Sequence, residues 1–173
     1  MSFWDVVRAD LRANTGKTRL VGALTAFLFH PGFATVFLHR VAMALVGTPV
    51  DKIGVLIWAW NTRRSGCHFH LESEIGPGLY LPHPVAIVIG QGVRVGAGAT
   101  FYQSVTVGRT RRDDYPVIGD GATLYPNAVV FGSITVGAGA RVGAGSIVFA
   151  DVPAGATAVG NPARIARQAR DAA

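Results

Sequence analysis

A mainly β chain, built as a parallel β-helix of about four coils with a small α-helical region before it and a tail after it, is the fold that this sequence predicts. Two observations carry that expectation. Between Phe69 and Asp151 an aliphatic or aromatic residue keeps returning every six positions, usually followed by Gly: Ile75-Gly76, Ile89-Gly90, Val95-Gly96, Val107-Gly108, Ile118-Gly119, Val136-Gly137 and Val142-Gly143. Ahead of that repeat, apolar residues fall at helical spacing instead. A period of six fits no helix face and is too regular for a sandwich of unrelated strands. It describes short flat strands joined by tight corners, with each apolar side chain stacked on its counterpart one coil away.

The elements follow in chain order. Ser2 to Arg12 spaces Phe3, Val6, Val7 and Leu11 as one helix face, and Asn14-Thr15-Gly16 should end that helix. Leu20 to Phe29 and Phe33 to Val46 are apolar runs separated by His30-Pro31-Gly32. Neither reaches the roughly 20 residues of a membrane span, so buried helices are expected. Ile53 to Trp60 is a third apolar piece, followed by Arg63-Arg64. It suits packing on a neighbouring subunit or, as a second reading, peripheral membrane contact with tryptophan and arginine at the headgroups. The repeat then runs Phe69, Ile75, Leu81, gains two residues, and continues through Ile89, Val95, Phe101 and Val107. A loop over 109–116 interrupts it before Ile118, Leu124, Val130, Val136, Val142 and Val148. Small residues at Ala99, Ala122, Ala128 and Ser146 leave room at the corners. The expected organisation is a helical region over 1–66, the β-helix over 67–153 and a tail over 154–173, the two flanks covering the open ends of the solenoid.

Composition bounds the function. The formal charge is +6, concentrated before Cys67, but no binding module or interleaved basic-aromatic surface points to nucleic acid. One cysteine excludes an internal disulfide and a cysteine-built zinc site. A cytoplasmic protein is expected, since no signal-peptide pattern opens the chain.

The hexads, the internal loop, and the close Asp151-Val152-Pro153 with Gly160-Asn161-Pro162-Ala163-Arg164-Ile165 resemble the left-handed β-helix acyltransferases, and among them the serine O-acetyltransferases. His30-Pro31-Gly32-Phe33 and Leu38-His39-Arg40 are similar to the family's helical region. The resemblance implies left-handed coils, acetyl-CoA as co-substrate, no metal, and a homotrimer, with paired trimers as a further option, whose sites lie in grooves between neighbouring β-helices. It places the catalytic histidine at His83, in Leu81-Pro82-His83-Pro84. An imidazole neutral near pH 7 suits removal of a hydroxyl proton. His30 and His39 sit among apolar residues and are expected to be structural. A metal cluster of His68, His70 and His83 lacks the spacing of zinc-dependent β-helix hydratases. Pantetheine and phosphate positions carried over from the family are Gly108, Pro126, Arg141, Ala144 and Arg164.

Departures from the family pattern redirect the acceptor. Tyr115 stands where the family has a second histidine, Asp114 where it has an arginine, Pro82 where it has an aspartate, and His68 where it has the carboxylate that orients the base. An aspartate repels a serine carboxylate. Asp113, Asp114, Tyr115 and His68 are therefore expected to face a different acceptor, and the pattern is similar to exopolysaccharide and sugar O-acetyltransferases that lack the second histidine. Two alternatives stand beside this one: an acetyltransferase of serine or another amino acid, and a non-catalytic trimeric scaffold.

Overall fold

The computed structural model describes residues 1–19, 22–110 and 114–167. The hexads wind a left-handed parallel β-helix of about four coils with a three-sided section. Its first face stacks β1 (His68–Phe69), β3 (Val88–Ile89), β6 (Thr106–Gly108), β9 (Val129–Phe131) and β12 (Ile147–Val148). The second stacks β2 (Glu74–Ile75), β4 (Arg94–Val95), β7 (Val117–Ile118) and β10 (Thr135–Val136). The third stacks β5 (Thr100–Phe101), β8 (Thr123–Leu124), β11 (Arg141–Val142) and β13 (Thr157–Gly160). β14 (Ala163–Arg167) then turns back antiparallel on β13. Every hexad residue expected to point inward is buried, with Ile75 partly so, and Ala99, Ala122, Ala128 and Ser146 are buried at the corners.

Register locates both irregularities. Val88 pairs with Thr106, the 18-residue step of three hexads, whereas His68 pairs with Val88, two residues more. Arg94 pairs with Val117, five more than the regular step, and these extra residues form the loop after β6.

The preceding residues form α1 (Phe3–Thr15), α2 (Ala23–Phe29), α3 (Pro31–Leu45) and α4 (Asp51–Ser65). Ser2 and Asp5 close a capping box on α1, and Gly16 ends it at φ 72°, a conformation that glycine adopts without steric cost. Helix α4 runs past Trp60, so Arg63 and Arg64 lie in its last turn, where cations oppose the helix dipole. Trp58 of this helix turns inward, its Nε1 donating to Phe69 O at 2.7 Å, while Trp60 stays exposed with the Arg64 guanidinium over its ring. Among the described residues no single helix is long and apolar enough to cross a membrane.

These helices close the open end of the solenoid. Backbone bonds between neighbouring coils run in both directions, as Glu74 N donates to Val93 O and Phe101 N to Tyr80 O. The outer edge of the first coil therefore presents carbonyls and N–H groups with no strand before them, and unpaired buried backbone groups are costly. Side chains supply the donors. Arg40 reaches Ile75 O and Gly76 O, Asn14 Nδ2 reaches Leu79 O at 2.8 Å, and Trp58 reaches Phe69 O. Asp10, itself buried, pairs with Arg40 at 2.9 Å and accepts from Gly78 N and Leu79 N. Removing one partner of such a pair strands the other charge. Asp10→Ala is expected to lower unfolding free energy by about 3–5 kcal/mol in denaturant titration; a loss under about 1 kcal/mol would contradict the role given to this pair.

His39 is buried with its ring edge-on to Phe69 and its Nδ1 without a hydrogen-bond partner among the described residues. Burial, and secondarily the Arg40 charge, pushes its pKa from 6.5 down to about 3. Between those values the unfolded chain binds a proton that the folded chain refuses. Stability from neutral His39 is thus complete above about pH 6.5 and drains away as pH falls toward 3. His39→Leu should match the parent's melting temperature at pH 7.5 within a few degrees and lose less of it at pH 4.5, whereas parallel acid losses would count against this assignment.

Candidate active site

His83 stands exposed on the corner that leads from the third face to the first, where the two extra residues of the first coil are accommodated. Backbone bonds stack this corner through the coils: Ser104 N donates to Val85 O, Asn127 N to Gln103 O, and Gly145 N to Pro126 O. Ala86, Ser104 and Asn127 take left-handed φ values of 53°, 58° and 60° here, a conformation costly for residues with a Cβ. Below His83 two rings follow in column. Tyr102 lies 6.4 Å from the histidine ring, and Tyr125 is stacked on Tyr102 at 5.3 Å and 18°. Neither tyrosine was singled out from sequence, although each directly follows an inward hexad residue, Phe101 and Leu124, and so shares a hexad position.

The loop after β6 occupies a different corner, between the first and second faces. Tyr115 packs over Gly92, where a Cβ would fall 2.6 Å from the ring; Gly92 has φ 67°, so a side chain is disfavoured there twice over. Arg109 lies over the same ring, its guanidinium 5.9 Å from the Tyr115 centroid and its Nη1 donating to the phenol oxygen at 3.4 Å. Asp114 accepts a short hydrogen bond from Thr110. Asp113 lies outside the described residues. His68 does not join this group: its ring neighbours are Trp58 of α4 and His70. Within one chain, then, the expected base and the expected acceptor residues occupy separate corners.

The expected cofactor positions divide similarly. Pro126 and Ala144 continue the His83 corner, Arg141 lies exposed on the third face, and Arg164 is on β14 of the same sheet. Gly108 ends β6 beside Phe131, on the loop's corner. A separate groove of about 690 Å³ runs beneath α3 on the second face, lined by His39, Glu74, Arg94 and Asp120 among others. Among the described residues no group of three or more His, Cys, Asp or Glu side chains is arranged to hold a metal ion.

No family model matches the chain. Serine acetyltransferase 3, mitochondrial, of Arabidopsis thaliana is 39% identical over 163 residues, 92% of this chain and 42% of that protein. The chain spans about half the length of the curated relatives it matches. The soybean serine acetyltransferase apoenzyme superposes with a TM-score of 0.84 at 34% identity, covering 95% of this chain and 69% of that one. The chain belongs to the serine acetyltransferase family. A serine acetyltransferase solved in complex with CoA also superposes, at a TM-score of 0.81 and 27% identity, covering 95% of this chain and 69% of that one. These relatives are serine and not sugar acetyltransferases, so the narrower likeness to sugar enzymes expected from the loop residues finds no support among them. In this serine acetyltransferase family member His83 heads a tyrosine column, and the loop carries the Arg109–Tyr115 pair.

Proposed function

We propose that this chain is an acetyl-CoA-dependent O-acetyltransferase acting on a hydroxy amino acid of the serine class, with His83 as general base. The observation that carries the proposal is the match to serine acetyltransferases over 92% of the chain, combined with an exposed His83 at the head of the corner that runs on through Pro126 and Ala144. On this reading the pantetheine arm follows that corner, Arg141 and Arg164 meet phosphates, and the thioester ends beside His83. The imidazole takes the proton of the acceptor hydroxyl as its oxygen attacks the thioester carbon. The resulting tetrahedral oxyanion collapses, the C–S bond breaks, and the departing thiolate receives the proton back from the imidazolium, leaving acetyl ester and CoA.

A homotrimer fits the separation of corners, because one copy's loop can then face its neighbour's His83. The loop also answers the loss of the family arginine at Asp114. Arg109, held against Tyr115, offers a guanidinium for the acceptor carboxylate from the opposite end of the same loop. A sugar hydroxyl is the second reading, favoured by the one observation that Asp114 puts a carboxylate in the acceptor region.

The test is CoA release from acetyl-CoA over a panel of serine, homoserine, monosaccharides and nucleotide-linked sugars. Serine-class acceptors are expected to turn over best. His83→Ala should lose roughly a hundredfold or more in kcat with acetyl-CoA affinity kept, and Arg109→Ala should raise KM for the acceptor. Preference for a sugar would transfer the assignment to the second reading, and absence of both turnover and acetyl-CoA binding would leave a scaffold.

A further inference from the structure

We infer that Tyr102, backed by Tyr125, is the positioning residue that orients the His83 imidazole. The inference rests on His83 as the base proposed above and goes beyond it. A general base must be aimed, because the transfer depends on the lone pair of one ring nitrogen meeting one hydroxyl proton. Histidine bases are ordinarily held through the second nitrogen by a carboxylate or carbonyl. Here the residue before His83 is Pro82, which has neither a side-chain acceptor nor a backbone N–H. His68, at the position of the family's orienting carboxylate, is turned to Trp58 and His70. Among the described residues no side chain hydrogen-bonds to the His83 ring or forms an ion pair with it.

What the ring does meet is Tyr102, at 6.4 Å and a tilt of 52°, within the separation at which aromatic pairs attract. Tyr102 cannot swing away freely, since its other side is stacked on Tyr125. Both tyrosines are partly buried at the corner while His83 is exposed, so two packed rings border one exposed ring. The backbone adds to this fixity: Val85 N donates to His83 O at 2.8 Å, and Pro84 beside it is buried. An aromatic wall restricts the histidine's rotamers while leaving the ring nitrogens open toward the acceptor.

The experiment compares Tyr102→Phe, Tyr102→Leu and Tyr125→Ala with the parent protein, using the best acceptor of the panel. Loss of the ring at 102 should lower kcat roughly tenfold, the size of one aromatic pairing, with KM for acetyl-CoA unchanged, while Tyr102→Phe restores the parent rate. Tyr125→Ala should produce a smaller fall of the same kind. In NMR spectra the His83 Hε1 signal should lose its ring-current shift in Tyr102→Leu and keep it in Tyr102→Phe. Full kcat together with an unmoved His83 signal in Tyr102→Leu would overturn the inference, as would a Phe variant as slow as the Leu variant, which would assign the effect to the hydroxyl. An inactive Tyr102→Leu whose His83 signal is unmoved would also overturn it. If His83→Ala itself is fully active, the base assignment fails first, and the two failures are thereby told apart.

Discussion

The open backbone edge at the start of the β-helix, carbonyls and N–H groups together, is the constraint on which the rest of the structure depends. Every later coil bonds through its backbone to the coil before it, but the first coil has nothing before it. A solenoid can only stack if its ends are closed. Arg40, Asn14 and Trp58 close this one from three different helices, and Asp10 holds Arg40 in place while meeting the N–H groups of Gly78 and Leu79. The clamp ends at Leu81, whose N–H donates to Asn14 Oδ1, two residues before His83. The helical region thus fixes the segment from which the candidate base projects.

The repeat was legible because its physics is strictly periodic: one inward residue in six, with tight corners between. Val130, Val136, Val142 and Val148 needed no tertiary information to be placed inside. Helix α1 was legible through its cap and through Gly16. The clamp was not, because Arg40, Asn14 and Trp58 are single polar residues at unrelated spacings, and only the folded chain shows that they serve one edge. The tyrosine column was hidden for a similar reason. Tyr102 and Tyr125 are 23 residues apart, and their stacking depends on how the loop after β6 is absorbed. Asp114 suggested a changed acceptor, but Arg109 meeting Tyr115 across the loop is a contact of the fold and not of the sequence order.

The two departures from regular coiling sit where chemistry is proposed. One makes room for Pro82-His83-Pro84, on a corner where Ala86, Ser104 and Asn127 tolerate left-handed backbone; the other projects Asp114 and Tyr115. Regular hexads give a straight, rigid track, and the irregularities give it places to act. A single copy holds the base and the loop apart, which is the separation that the proposed homotrimer bridges.

The most direct measurement is a structure of the protein with CoA bound. The account predicts that the thiol ends beside His83, with the pantetheine arm along Pro126 and Ala144 and the phosphates toward Arg141 or Arg164. CoA seated instead in the groove beneath α3, against Arg94 and Asp120, would contradict it.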